Sequence, residues 1–305
     1  MSTTGTEAKL LVVDDEPNIR DLLASSLLFA GFDVVTAEDG SGAFHEAQAS
    51  RPDLIVLDVM LPDMAGFTVT RRLRDAGIPV FADSRASRER EWEPAREFLA
   101  QRSEFLLDDG SHLIRLAHDT EACPGVLDAL VGAAEETTSG LRPLRSFDLR
   151  IPVLASNDAR SKTLFDNAYG TGQSCWTTIL DLIDPRGVGG PVAGMSVVVI
   201  GYGDVGRGCA RFGAAIGARG TVGELDPVRA LQASMDGFTV ASLEEAAASA
   251  GMLISATGER ATIPLSALEA APEGAIVTVA GGVDGEVSID EAVAASWVMA
   301  ESGDP

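Results

Sequence analysis

Short apolar runs alternate with amphipathic stretches along residues 9–80, and no other feature of this chain constrains its fold as strongly. The series reads KLLVV, NIRDLLASSLLFAG, FDVVTA, SGAFHEAQASRP, DLIVLDV, GFTVTRRLRDAG, IPVFA. Strand-like runs of about five residues separated by helical patterns of about a dozen predict an α/β fold with doubly wound parallel sheets. An Arg/Glu-rich helical stretch, SRERE to FLAQR, follows. The rhythm then restarts at FLLDDG, continues through VLDALVGAAEETTSG and IPVLASND, and begins a third time at MSVVVIGYGDVGRG. PRGVGGP, residues 185–191, reads as a linker before the last domain. A chain of 305 residues with 46% hydrophobic content can bury two cores, so two domains are expected.

Composition removes several classes of function. Forty-six acidic against 23 basic side chains give a formal charge of -23, which repels nucleic-acid backbones and anionic membranes alike. No apolar run approaches the ~20 residues needed to span a bilayer, and MSTTGTEAKLLVV lacks the pattern of a secretory signal. A cytoplasmic location is expected. Three widely spaced cysteines, Cys123, Cys175 and Cys209, form no CxxC pair, so buried reduced thiols are expected in place of a disulfide framework or a zinc site.

VVDDE at 12–16 and VLDVMLPDMAGF at 56–67 put Asp14, Asp15 and Asp58 at the carboxyl ends of two strands, the edge of an open parallel sheet where ligands bind. Three converging carboxylates repel one another unless a divalent cation lies between them. Residues 9–80 resemble the first part of a response-regulator receiver domain. The resemblance implies that Asp58 is the phospho-acceptor, that Asp14, Asp15 and Asp58 hold Mg2+, and that the Met60 carbonyl is a further ligand. Receivers also carry a Thr or Ser after the fourth strand and a later Lys. Here Ser84 is displaced and the only lysines are Lys9 and Lys162. A phosphorylated receiver module with a histidine kinase partner and a nucleotide-binding output domain is the alternative reading.

GYGDVGRG, 201–208, lies between a strand-like run and a helical one, and a second strand-like segment ends in Glu224. That context makes the glycine pattern a dinucleotide fingerprint. Gly201 permits the tight turn, Gly203 lets the backbone approach a pyrophosphate, Asp204 and Val205 open the helix, and Gly206 allows helix and strand to pack closely. Glu224 binds the adenine ribose hydroxyls and favours NAD over NADP. LLDDG at 106–110, EETTSG at 135–140, NDARSKTLFDNAYG at 157–170, GYGDVGRG and ELDPVRALQASMDGF together resemble the S-adenosylhomocysteine hydrolase family over about residues 78–290. IPVFA is then the join, a strand both families share, through which one sheet is expected to continue. The resemblance implies a hybrid flavodoxin-like and receiver-like first domain, 1–157, and a Rossmann NAD-binding domain, 158–305.

The implied chemistry uses NAD to oxidise the ribose 3'-hydroxyl, which acidifies the C4' proton and allows homocysteine to leave. By resemblance, Lys162 and Asp166 take the hydroxyl proton, Asp109 lies near C4', Glu136 holds the ribose hydroxyls, and Asn167 orients Lys162. Thr137, Thr138 and Ser139 match the hydroxyl run that touches nicotinamide and ribose. His112 and His118 read as structural or surface residues. The expected partners are an adenine nucleoside or S-adenosylhomocysteine and a second copy of the chain. Departures from the family are equally specific. Gly282 and Val283 stand where a gate His and Phe belong, Thr171 replaces a Cys, and a His-bearing TVQTA-like segment, the returning substrate-domain segment and a basic tail are missing. Cofactor binding is therefore expected to outlast catalysis.

Overall fold

The computed structural model describes residues 8–58, 61–81, 90, 92–184, 192–282 and 285–297. Met60, Ser84, Val283 and the 185–191 linker lie outside the described residues. The chain divides into two compact units, residues 1–95 and 96–305.

The first unit is built on strands β1 (Lys9–Val13), β2 (Asp33–Ala37) and β3 (Leu54–Leu57), with helices α1 (Pro17–Phe29), α2 (Gly40–Ser50), α3 (Gly66–Asp75) and the start of α4 (Trp92–Leu99). All its pairings are parallel, in the order β2-β1-β3. Its core gathers Leu11, Val13, Ala37, Ala43, Ala47, Val69 and Leu73. Two acids fix the start of α2. Asp39 Oδ1 accepts from the Gly42 N–H at 2.6 Å, and Asp63 accepts from the Gly40 and Ser41 N–H groups at 2.7 and 3.0 Å. The Ser41 hydroxyl and those N–H groups hold the Asp63 carboxyl below its ordinary pKa. Residues 78–81 form no strand, which corrects the expectation that IPVFA carries one sheet across the join. Pro79 has no N–H to give a ladder.

The second unit contains two parallel sheets. The smaller, β4 (Phe105–Asp108), β5 (Gly132–Glu135) and β6 (Val153–Ala155), runs in the order β4-β5-β6 and is accompanied by α5 (His112–Ala117) and α6 (Thr138–Leu144). Along β4 the pleat buries Leu106 and Asp108 and exposes Phe105 and Leu107. The chain then passes through α7 (Arg160–Lys162), a π-helical stretch Thr163–Gly170, and α8 (Thr171–Ile183).

The larger sheet holds β7 (Ser196–Ile200), β8 (Arg219–Gly223), β9 (Thr239–Val240), β10 (Met252–Ser255) and β11 (Ile276–Val279), with α9 (Asp204–Ala215), α10 (Pro227–Met235), α11 (Leu243–Ala247), α12 (Leu265–Ala270) and α13 (Ile289–Ala294). Its order, β11-β10-β7-β8-β9, is that of the first five strands of a Rossmann fold, and the direction of winding reverses between β7 and β10. The expected division at 157/158 falls between these two sheets, inside the second unit. Among the described residues no helix is long and apolar enough to cross a membrane.

Candidate functional site

In the first unit the strand ends bring Asp14, Asp15 and Asp58 together. Each offers a carboxylate oxygen, and the three oxygens lie within 4.8 Å of one another. The Asp58 N–H donates to Val13 O and the Asp14 N–H to Ala37 O, so the ladder itself sets both acids at the sheet edge. Arg20 Nη1 donates to Asp14 O at 2.6 Å and anchors α1 beside them.

In the second unit the glycine loop has the geometry of a dinucleotide cradle. Gly201 has φ +92°, and a Cβ on Gly206 would stand 2.0 Å from Gly201 O. A Cβ on Gly203 would meet only Arg229 Nη1, at 3.8 Å, so this glycine leaves open space at the start of α9. There the free N–H groups of a helix N-terminus favour phosphate. Glu224, just after β8, is engaged already. Its Oε2 accepts from the Tyr202 N–H at 2.6 Å, and its Oε1 accepts from the Leu225 and Asp226 N–H groups at 2.7 and 2.9 Å. The acid thus ties the glycine loop to the β8 turn. Asp204 opens α9 and pairs with Arg207 at 2.8 Å, while Val205 packs on the core. Tyr202 is buried and donates to Asp236 Oδ2 at 2.9 Å; burial and the Asp236 acid raise its pKa.

A line of hydrogen-bonded side chains links α7 to the start of α6. Lys162 Nζ donates to Asn167 Oδ1 at 2.7 Å and lies 3.2 Å from Asp166 Oδ2. Asn167 Nδ2 donates to Asn157 Oδ1 at 3.1 Å, and Asn157 Nδ2 to Thr138 Oγ1 at 3.1 Å. Both asparagines are buried. The π-helical winding of Thr163–Gly170, closed by Thr171 N–H to Asp166 O, carries Asp166 and Asn167 to the same lysine; such windings cluster at functional sites. Ser139 stands beside Gly258 just beyond β10, where a Cβ on that glycine would be 3.2 Å from Ser139 Cβ. The structure therefore gathers Lys162, Asp166, Asn167, Thr138 and Ser139 around one region of the second unit.

The two acidic doublets divide their labour by the pleat. Asp108 and Glu135 are paired in register and buried, whereas Asp109 is exposed and Glu136 half-buried. Glu135 accepts from the N–H groups of Gly110, Ser111 and Thr137 at 3.0, 2.8 and 2.9 Å, and from the Thr137 hydroxyl at 2.5 Å. Asp108 accepts from the Ile114 and Asp109 N–H groups at 2.7 and 3.0 Å. Burial raises the Asp108 pKa, and the Glu135 charge adds to that effect. Sequence reading missed Glu135, Asp108 and Asn157 as organisers of the site. The period-two alternation of a strand applied to DD and EE would have separated the inward acid from the outward one.

Glu286 had no such signal. It is buried, accepts from the Ser255 and Thr257 hydroxyls, and leaves Oε1 without a partner beneath Gly281. Gly282, which the resemblance sets where a gate His is expected, is exposed. His118 is structural, as expected. Its Nδ1 bonds Ile114 O at 2.7 Å, its Nε2 accepts from the Arg150 N–H at 3.0 Å, and Phe147 packs edge-on against its ring. His112 is exposed at the start of α5.

Comparison with known proteins bears on both units. Residues 167–301 match the family model for the S-adenosyl-L-homocysteine hydrolase NAD binding domain, and residues 10–99 match that for the response regulator receiver domain. The chain is 40% identical over 225 residues to the adenosylhomocysteinase of Thermotoga maritima, covering 72% of this chain and 54% of that protein. It is 40% identical over 223 residues to that of Pyrococcus abyssi, covering 72% and 51%. It is also 38% identical over 216 residues to the S-inosyl-L-homocysteine hydrolase of Methanothermobacter thermautotrophicus, covering 70% and 50%. The chain spans about half the length of the curated relatives it matches.

Proposed function

Residues 167–301 belong with the NAD-binding domains of the S-adenosylhomocysteine hydrolase family and residues 10–99 with the receivers; from that premise we propose that this chain binds NAD and oxidises the ribose 3'-hydroxyl of an adenine nucleoside. The observation that carries this reading is the line Lys162, Asn167, Asn157, Thr138, in which two buried amides hold one lysine at a fixed place.

NAD, when bound, supplies the hydride acceptor. Gly201, Gly203 and Gly206 would cradle its pyrophosphate with the Asp204 and Val205 N–H groups, and Glu224 would take the adenosine ribose hydroxyls. Lys162 Nζ receives the 3'-hydroxyl proton with Asp166 beside it, and Asn167 keeps Nζ aimed. Asp109 faces C4', Glu136 holds the ribose hydroxyls, and Thr138 and Ser139 position the nicotinamide side; Thr137 serves through Glu135. Full cleavage of S-adenosylhomocysteine is slow in this proposal. Gly282 offers no acid or base where the gate His belongs, and such help is worth typically 10²- to 10⁴-fold. In the first unit Asp14, Asp15 and Asp58 present the hard oxygen donors that suit Mg2+. A signalling role phosphorylated on Asp58 is the less favoured reading, since no lysine stands between Lys9 and Lys162 to read the phosphoryl group.

The test begins with purified protein, denatured and examined by mass for released NAD. Glu224→Ala should weaken NAD binding by about 1.5–3 kcal/mol, the worth of hydrogen bonds to a charged group. Adenosine plus NAD should then give NADH fluorescence that Lys162→Ala abolishes while leaving NAD affinity within about twofold. Absence of NAD binding sinks the proposal. Rapid homocysteine release from S-adenosylhomocysteine, lost in Lys162→Ala, would instead remove only the claim of impaired cleavage.

A further inference from the structure

Cys175 on α8 and Cys209 on α9 lie outside the chemistry proposed above. The two helices meet at glycines. A Cβ on Gly172 would stand 2.8 Å from Gly208 Cα and 3.2 Å from the Cys209 nitrogen, and one on Gly213 would stand 2.7 Å from the Trp176 ring. Trp176 Nε1 donates to Cys209 O at 2.7 Å. Cys175, next to Trp176 on α8, packs against the cluster that contains Cys209. Cys209 and Cys123 are buried, whereas Cys175 is only half-buried. The sequence expectation of buried thiols therefore fails at one position of three.

Cys175 lies one turn beyond Gly172 on α8 and so faces Cys209 across this contact, where the two thiols interact. The Cys209 thiol lowers the pKa of the Cys175 thiol against the opposing effect of burial. Cys209 itself is raised, by the same interaction and by its burial. A partly exposed thiolate beside a protonated thiol is the environment in which cysteines react with peroxide and are then resolved.

We propose that Cys175 and Cys209 form an oxidisable dithiol, with Cys175 the attacking thiolate, Cys209 the resolving thiol and hydrogen peroxide the oxidant. In the first step an S–O bond forms at Cys175 as the O–O bond breaks, and hydroxide leaves to take up a proton as water. In the second, the Cys209 sulfur attacks the sulfenic sulfur, an S–S bond forms as the S–OH bond breaks, and the departing hydroxide takes the Cys209 proton as a second water. Two thiols together lose two electrons and the peroxide gains them.

The test treats the full chain with peroxide, alkylates under denaturing conditions and maps peptides by mass. Cys175 and Cys209 should appear joined, with a loss of two hydrogens that dithiothreitol restores, while Cys123 stays alkylatable. Before oxidation at pH 7, Cys175 should alkylate on the order of tenfold faster than Cys123, whose pKa burial raises. In Cys209→Ser, dimedone should trap the sulfenic acid at Cys175. If that variant fails to fold, Cys175→Ser at the half-buried position discriminates equally well, because Cys209 should then survive peroxide as a free thiol. Oxidation of Cys123 as fast as Cys175, over-oxidation of Cys175 without a cross-link, or no reaction at the pair would each overturn the proposal.

Discussion

Glu135 shows how much one side chain can organise. Four donors converge on it, two of them from the turn after β4, where Gly110 and Ser111 both have positive φ. A Cβ on Gly140 would stand 2.2 Å from its Oε1, so α6 starts directly above the carboxylate. Glu135→Ala should therefore lower stability by about 3 kcal/mol, since hydrogen bonds to a charged group contribute roughly 1.5–3 kcal/mol and several are lost together. Glu136→Ala should cost under about 0.5 kcal/mol, because that side chain is only half-buried. Urea unfolding of both variants checks the contrast, and equal losses would contradict it. The doublet EE was legible as a motif, and the resemblance singled out Glu136. Which acid faces inward was not legible without applying the pleat, and Asn157 could be placed between Asn167 and Thr138 only once the chain had folded.

At the scale of elements, the glycines of GYGDVGRG separate into two kinds. Gly203 leaves open space, whereas a Cβ on Gly208 would stand 2.2 Å from Ala168 O, where α9 crosses the π-helical stretch. Gly203→Ala should thus leave stability within about 0.5 kcal/mol of the parent yet weaken NAD at least tenfold by filling the space a phosphate needs. Gly208→Ala should destabilise by about 1–3 kcal/mol as an overpacked contact. Thermal denaturation and NAD titration on the same samples separate the two. If Gly203→Ala binds NAD normally, the cradle is misread. The fingerprint was plain in the sequence because strand, turn and helix are contiguous there. The contact of Gly208 with Ala168 and Gly172 was not, because it joins helices distant in the chain. IPVFA misled for a related reason, as apolar character alone does not supply the missing N–H of Pro79 or a neighbouring strand.

For the whole molecule, the charge of -23 implies self-repulsion in any compact state. Raising salt from very low ionic strength to about 0.15 M, where the Debye length is about 8 Å, should raise the melting temperature by screening that repulsion. A melting temperature that falls over this range would show that favourable ion pairs dominate instead.

The division into residues 1–95 and 96–305 also matters during synthesis. Among the described residues the core cluster of the first unit draws on residues within 11–78, and no later strand joins its β2-β1-β3 sheet. Ribosomes add roughly 5–20 residues per second, so this unit can close while the second is still being translated, for about 10–40 s at that pace. Protease added to ribosomes stalled near residue 150 should accordingly find the first unit already protected. Digestion there as rapid as in the unfolded chain would mean that the unit waits for the rest of the polypeptide.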